Sequence, residues 1–155
     1  MTEPQSTAIS RMRCSEIMTR DVQTASRETS LRDAAVMMRD GDMGSIPVVD
    51  GGKLVGIVTD RDMVVRVLAE GKGADTAVSE AMTSDLVTVK PDDYVFEAIR
   101  LMGERQVRRI PVIGENGELA GIIAIADVAL ETEDEREIAE TMEEISSGAG
   151  FWKKN

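Results

Sequence analysis

The sequence predicts an α+β fold built from two copies of one β-α-β-β-α unit. Three observations support this prediction. A shift of 64 positions aligns SEIMTRDVQT with SEAMTSDLVT, and six of the ten residues are identical. The same shift superimposes two apolar stripes at helical spacing, and each stripe precedes two short apolar runs separated by a Gly-containing turn. Since one unit buries too little core to be stable alone, we expect the copies to pack through their sheets about a pseudo-twofold axis.

The elements of each copy follow in order from these patterns. A short strand is predicted at 22–25 and again at 86–89. A helix follows, because apolar residues recur at i, i+3, i+4 and i+7 in both copies: Leu31, Ala34, Ala35 and Met38 in the first, Val95, Ala98, Ile99 and Met102 in the second. We expect Ser30 or Thr29 to cap the first helix, Asp92 or Asp93 to cap the second, and Gly41 to end the first.

A hairpin and a second helix complete each copy. SIPVVD aligns with RIPVIG, and the turn DGGK becomes GENGE through one inserted residue. Such turns between β-branched runs indicate hairpins, here of 46–49 with 54–58 and of 110–113 with 119–124. The second helix is expected to begin near Asp60 or Ile125.

The pattern divides the chain into five segments. They are a flexible N-terminus at 1–12, the first repeat at 13–69, a polar linker at 70–78, the second repeat at 79–131, and an acidic helical tail with a flexible C-terminus at 132–155. In the tail Ile138, Met142 and Ile145 share one helical face. Two interpretations stay open: a helix docked by that apolar edge, or a helix that contacts a partner or a second copy.

Composition excludes several classes of function. A net charge of −11 opposes binding to nucleic acid or an anionic membrane. The N-terminus lacks a signal-peptide core and no apolar run is long enough to span a bilayer, so we expect a cytoplasmic protein. Cys14 is the only cysteine and is expected to be half-buried. Because the chain has no His, no metal-ligand cluster and no nucleophile paired with a base, we expect no enzymatic activity.

The junction GIVTDRD, Gly56 to Asp62, is the first candidate site. Gly56 would let a ligand approach the main chain, the Thr59 hydroxyl can donate to a phosphate oxygen, and the Asp62 carboxylate can accept from ribose hydroxyls. Helix capping by Thr59 and Asp60 is the alternative. The second copy reads GIIAIAD, in which Asp127 stays although Ala124 replaces the capping residue. A carboxylate retained without its cap favours a ligand role.

The stretch VRRIPV is the second candidate. Arg108 and Arg109 provide fork-shaped donors for phosphate, and a surface pair neutralised by nearby acids is the alternative. The first copy has Gly44 and Ser45 at these positions. The two clefts should therefore differ in affinity, and we expect GIVTDRD to form the better site.

Taken together, residues 12–130 resemble a tandem cystathionine-β-synthase (CBS) domain pair, the Bateman module, as found in small stand-alone bacterial proteins. The likeness rests on IMTRDVQT with AMTSDLVT, SIPVVDGGKLVGIVTDRD, and VRRIPVIGENGELAGIIAIAD. It implies two pseudo-symmetric clefts that bind AMP, ADP, ATP, NAD or S-adenosylmethionine, with Mg²⁺ as an optional companion of a nucleotide. It also implies a disc-like homodimer.

The resemblance implies particular site residues. The family signature, Gly, hydrophobic, Thr or Ser, two variable residues and Asp, falls on Gly56, Ile57, Thr59 and Asp62, and incompletely on Gly121, Ile122 and Asp127. By the same carry-over Thr88 serves the Asp62 cleft and Thr24 the Asp127 cleft. The positions around each IPV also belong to the family's sites: Gly44, Ser45, Ile46, Pro47, Arg108, Arg109, Ile110 and Pro111.

Two functional hypotheses result. The leading one is a non-catalytic sensor in which an adenosine-containing ligand changes how the copies pack, and an unidentified protein partner reads the change. The alternative is an interaction module with vestigial clefts that acts through its oligomer surface and acidic tail.

Overall fold

The computed structural model describes residues 11–131 and 135–147 and has the α+β class that the sequence predicts. Its elements in chain order are α1 (Cys14–Ile17), α2 (Leu31–Gly41), β1 (Ser45–Asp50), β2 (Lys53–Thr59), α3 (Asp60–Met63) continued by a π-helical turn (Val64–Leu68), a 3-10 turn (Val78–Glu80), α4 (Val95–Arg105), β3 (Arg109–Ile113), β4 (Leu119–Ala124), α5 (Ile125–Glu131) and α6 (Glu135–Ser147). None of the helices within these residues is long and apolar enough to cross a membrane.

The chain folds into two compact units that do not coincide with the sequence repeats. The Asp62 unit consists of Gln23–Leu86 and Asn116–Leu119, and the Asp127 unit of Met1–Val22, Val87–Glu115 and Ala120–Asn155. The segment that opens the first repeat therefore belongs to the unit that contains most of the second.

Each unit contains one two-stranded sheet, as the hairpin signals predict. β1 pairs antiparallel with β2 from Ser45 opposite Thr59 to Asp50 opposite Lys53. Gly51 and Gly52 have φ angles of 57° and 80°, the left-handed pair that a tight two-residue hairpin turn requires. β3 and β4 form the second sheet, and Gly117 in their turn has φ 81°.

The structure has only a single β-bridge in each of the short strands predicted at 22–25 and 86–89. Ala25 pairs in parallel with Val48, and Val89 pairs likewise with Val112. The pairing after Ala25 stops because Ser26 already starts a turn, in which its N–H donates to Thr29 Oγ1 at 3.0 Å.

The predicted caps are right for one helix and wrong for the other. Ser30 Oγ accepts from Asp33 N at 3.1 Å at the start of α2. α4 begins after Tyr94 without a side-chain cap, and neither Asp92 nor Asp93 serves, because Asp93 Oδ2 accepts from Lys90 N at 2.8 Å instead.

α2 ends at Gly41, as predicted. The left-handed residue that terminates it is Asp42, with φ 50°. Gln106, with φ 57°, holds the equivalent place after α4.

Aliphatic residues and methionines build a separate core in each unit. The Asp62 unit buries Ala25, Leu31, Ala34, Met38, Ile46, Val48, Val58, Val67, Val78, Ala81 and Met82. The Asp127 unit buries Cys14, Met18, Val89, Val95, Ala98, Ile99, Met102, Ile110, Val112, Ile123, Ile125, Val128 and Ile145. The expectation of a half-buried Cys14 is wrong, since its side chain is fully buried. That burial, with the Asp93 carboxylate as second cause, raises the pKa of the Cys14 thiol to about 12.

The acidic helix α6 docks on the Asp127 unit. It packs against α4 and α5, with Ile145 buried and Met142 against the core. The docked-edge interpretation of the tail is supported for these two residues. The side chain of Ile138 and the predicted termini at 1–10 and 148–155 lie outside the described residues.

Candidate functional site

The first candidate junction lies where β2 ends and α3 begins. Thr59 Oγ1 accepts from Asp62 N at 3.0 Å, and Asp62 Oδ2 accepts from Thr59 N at 3.0 Å, which is a reciprocal capping box. The Asp62 carboxylate is 15% exposed, and its Oδ1 lies 3.8 Å from Arg66 Nε. Thr59 therefore caps the helix, as the alternative interpretation of the sequence predicts, and its partner in the cap is Asp62. The Thr59 O–H remains able to donate while its oxygen accepts.

The second junction, between β4 and α5, retains half of this arrangement. Ala124 has no hydroxyl, yet its N–H donates to Asp127 Oδ2 at 3.2 Å. The inference that Asp127 is retained without a capping role is therefore wrong. A carboxylate can cap by accepting from the main-chain N–H three residues earlier, whatever side chain that residue has.

Gly56 and Gly121 serve close main-chain packing, which corrects the expectation that Gly56 makes room for a ligand. A Cβ on Gly56 would lie 2.6 Å from Met82 Sδ and 3.0 Å from the Thr83 carbonyl oxygen. A Cβ on Gly121 would lie 2.6 Å from the Thr19 carbonyl oxygen. The space beside each glycine is filled by the chain itself.

The segment that fills this space is the repeated Met-Thr pair, a feature that the sequence reasoning missed. Ile57 and Thr83 exchange two main-chain hydrogen bonds of 3.0 and 2.8 Å, and Ile122 and Thr19 exchange two of 2.9 Å. The start of each repeat thereby adds a bridge to the hairpin of the other repeat. The recurrence of SExMT was the available signal, but a repeated motif does not say which strand it pairs with.

The residues before each IPV lie at the same junctions. The Gly44 carbonyl accepts from Asp60 N at 3.0 Å, and the Arg108 carbonyl accepts from Ile125 N at 2.9 Å. Ser45 pairs with Thr59 across the β1–β2 ladder. The Asp62 junction therefore includes Gly44 and Ser45. The Asp127 junction includes Arg108 and the adjacent Arg109, whose side chains are exposed.

Four of the expected ligand contacts are core residues. The side chains of Ile46 and Ile110 are fully buried, and Pro47 and Pro111 are buried beside them. The Pro47 carbonyl accepts from Ala25 N, and the Pro111 carbonyl accepts from Val89 N. These residues hold the strands that carry the junctions, and they offer no free side chain to a ligand.

The expected threonine contacts fall one in each unit. Thr24 is exposed and belongs to the Asp62 unit, and Thr88 is half-buried and belongs to the Asp127 unit. The assignment of each threonine to the opposite cleft stays a prediction. In the described part of the chain no three His, Cys, Asp or Glu residues are grouped so that they could hold a metal ion, and a Mg²⁺ site has no support there.

Two units with one hairpin and one hairpin–helix junction each, derived from an internal repeat, define a tandem-repeat α+β architecture. The chain belongs to the CBS domain family, which matches it twice, at residues 14–69 and 78–134.

Sequence relatives share most of the chain. YlbB of Bacillus subtilis is 40% identical over 135 residues, which is 86% of this chain and 90% of that protein. The CBS domain-containing protein YhcV of the same organism is 39% identical over 115 residues, 74% of this chain and 81% of YhcV. An inosine-5′-monophosphate dehydrogenase of Korarchaeum cryptofilum is 36% identical, but the match spans 23% of that enzyme.

Solved structures include complexes with adenosine compounds. The CBS domain pair of protein MJ0100, in complex with 5′-methylthioadenosine and S-adenosyl-L-methionine, has a TM-score of 0.69 and 26% identity over 77% of this chain and 94% of that one. CBSX2 in complex with AMP has a TM-score of 0.70 and 27% identity over the same shares. Hypoxic Response Protein I, solved with two coordinated zinc ions, has a TM-score of 0.72 and 34% identity over 78% of this chain and 99% of that one.

Proposed function

We propose that this chain is a regulatory module that binds an adenosine-containing small molecule at its hairpin–helix junctions. The observation that carries the proposal is that CBS pairs of the same fold are found with AMP, or with S-adenosylmethionine and 5′-methylthioadenosine. The chain carries the family signature in full around Thr59 and Asp62, and in part around Asp127, where Ala124 replaces the hydroxyl residue. Adenosine is the part that these ligands share, so the ribose and the adenine are the groups that both junctions would recognise.

Asp62 and Asp127 are the residues proposed to bind ribose. Each uses Oδ2 to accept a main-chain N–H, which fixes the orientation of the carboxylate. The other oxygen of each is left to accept from ribose hydroxyls, and in Asp62 it lies 3.8 Å from the Arg66 guanidinium, longer than a hydrogen bond. A carboxylate held in place before binding loses little conformational entropy when a ligand arrives. Capping and ribose binding are thus compatible roles of one side chain.

Isothermal titration calorimetry tests this proposal. Purified protein would be titrated with AMP, ADP, ATP, NAD, S-adenosylmethionine and 5′-methylthioadenosine. We expect at least one ligand to bind with a Kd below the millimolar range. Asp62→Asn keeps an oxygen for the Thr59 N–H but removes the charge, and it should weaken binding, whereas the matched control Asp33→Asn, on the exposed first turn of α2, should not. Absence of binding by every ligand at millimolar concentration would refute the proposal.

We further propose that two copies associate through an apolar surface of the Asp62 unit. The π-helical turn after α3 presents Val64, Val65 and Leu68 to solvent, with Leu68 70% exposed. Beside them lies an apolar groove of about 360 Å³, lined by Leu31, Arg32, Ala35, Met63, Val64, Val67, Leu68, Lys72, Gly73 and Ala74. Exposed apolar side chains along an apolar groove, on a chain of net charge −11, support an interface here, and a twofold axis would place the same surface on both sides.

Sedimentation velocity tests this association. We expect a dimer for the wild type and a monomer for Leu68→Glu, because a buried unpaired carboxylate opposes the contact. Ser84→Glu adds the same charge at another exposed position of the unit and should leave the dimer intact. A wild type that stays monomeric at high micromolar concentration would contradict the proposal.

A further inference from the structure

The two junctions share a main-chain hydrogen bond but differ in their charged side chains. In each unit the residue before the first hairpin strand uses its carbonyl to accept from the first helical N–H: Gly44 from Asp60, and Arg108 from Ile125. These four residues therefore lie at the same junctions as Asp62 and Asp127, the residues proposed to bind ribose. Comparing them position by position gives the local charge that a ligand would meet.

The Asp62 junction contains two carboxylates, those of Asp60 and Asp62. A Cβ placed on Gly44 would lie 3.3 Å from Asp60 Oδ2, so the Asp60 carboxylate lies against the bare main chain of Gly44. Asp62 forms an ion pair with Arg66, with Oδ1 3.8 Å from Arg66 Nε. Arg66 Nη1 also donates to the carbonyls of Ala81 and Met82, at 3.4 and 3.1 Å, and no ion pair joins Arg66 to Asp60 among the described side chains.

Arg61 does not neutralise Asp60 directly. Its side chain is exposed, and its main-chain N–H donates to Asp60 Oδ1 at 2.8 Å. No ion pair joins their side chains within the described residues. The Asp60 carboxylate thus keeps its charge toward Gly44.

The Asp127 junction is basic. Ile125 and Ala126 replace Asp60 and Arg61, which removes the first carboxylate. Arg108 and Arg109 are exposed and form no ion pair with any side chain that the structure describes. Two exposed guanidiniums at a junction with one carboxylate can provide charge-assisted donors for a phosphate, which carries up to about two negative charges at neutral pH.

We infer that the two junctions select different ligands: the Asp127 junction takes phosphorylated adenosine compounds, and the Asp62 junction takes adenosine compounds without a phosphate, with Asp60 as the residue that excludes phosphate. This inference rests on the proposed function. The sequence predicts that GIVTDRD forms the better of the two sites. For phosphorylated ligands this inference predicts the opposite order, because the Asp60 carboxylate of GIVTDRD repels a phosphate.

Calorimetry with AMP and 5′-methylthioadenosine as probes tests the division. Arg108→Gln and Arg109→Gln should each weaken AMP binding on the order of tenfold or more and change 5′-methylthioadenosine binding less than about threefold. Arg105→Gln, an exposed arginine at the end of α4, is the matched control and should change neither. Asp60→Asn should add a second AMP site or strengthen a weak one on the order of tenfold, and Asp33→Asn should not.

The outcomes separate this inference from the proposed function. A saturating amount of one probe should leave binding of the other unchanged, which supports the division. Direct competition between the probes for one site would overturn the division of ligands between the junctions, while the proposed function stands. AMP binding that neither arginine substitution weakens would have the same consequence. Failure of both probes to bind wild-type protein overturns the inference together with the proposed function.

Discussion

Gly121→Ala is the substitution that most sharply tests the packing role of the junction glycines. The new Cβ would lie 2.6 Å from the Thr19 carbonyl oxygen and 2.9 Å from both Cγ and Sδ of Met18. Since ordinary contacts to Cβ are about 3.4 Å or longer, the Thr19 main chain must move by several tenths of an ångström. That movement strains the two 2.9 Å hydrogen bonds between Thr19 and Ile122.

The magnitude follows from these contacts. Overpacking in a buried site costs about 1–3 kcal/mol, and each strained hydrogen bond about 0.5–1.5 kcal/mol. The smaller entropy of the unfolded Ala chain offsets about 0.4–1 kcal/mol. We therefore expect Gly121→Ala to lower the free energy of unfolding by about 2–4 kcal/mol. Gly56→Ala should cost less, about 1–3 kcal/mol, because its shortest contact is the flexible end of Met82.

Urea unfolding followed by far-ultraviolet circular dichroism measures these differences. Gly73→Ala is the matched control, because a Cβ there meets nothing within 4 Å and the residue does not have a positive φ. It should leave stability unchanged or raise it by up to about 1 kcal/mol. If Gly121→Ala proves as stable as Gly73→Ala, the glycine is not required for packing against Thr19 and the reasoning is wrong.

Further predictions concern the thiol, the acidic helix and the caps. Because the pKa of Cys14 is raised from 9.0 to about 12 in the folded state, the unfolded thiol ionises first as pH rises. The free energy of unfolding should then fall by ~1.4 kcal/mol per pH unit between those values, and Cys14→Ala should flatten that slope in urea titrations. Ile145→Ala should cost about 2–4 kcal/mol of unfolding free energy if α6 is docked, and no change in the urea midpoint would contradict the docking. Thr59→Ala should lower stability by about 1 kcal/mol and Thr59→Ser by a few tenths, and equal effects of both would exclude the hydroxyl as the cap.

Local signals predicted much of the fold. The Leu31 stripe and the Ser30 cap specify α2, and the Asp-Gly-Gly turn specifies the β1–β2 hairpin, because these patterns act within a few residues. The wrong cap of α4 has an equally local cause: Asp93 accepts from Lys90 N, and this turn competes with capping for the same carboxylate.

Non-local pairing was beyond the sequence reasoning. Thr19 pairs with Ile122, more than 100 positions later, and no pattern in a single sequence specifies that partner. The same pairing explains why glycine recurs at positions 56 and 121. At the junctions, the sequence predicted Asp62, Asp127 and the arginines, and its repeat aligned Arg108 with Gly44. That both residues bond to the first helical N–H could be seen only in the structure.

Native mass spectrometry tests the central claim, that this CBS pair binds adenosine-containing ligands at two junctions, most directly. The wild-type chain would be sprayed with AMP and 5′-methylthioadenosine together, beside the variant that carries Asp62→Asn and Asp127→Asn. We expect wild-type chains that carry one of each ligand, and loss of both ligands from the variant. A wild-type spectrum without bound ligand, or a variant that retains both, would contradict it.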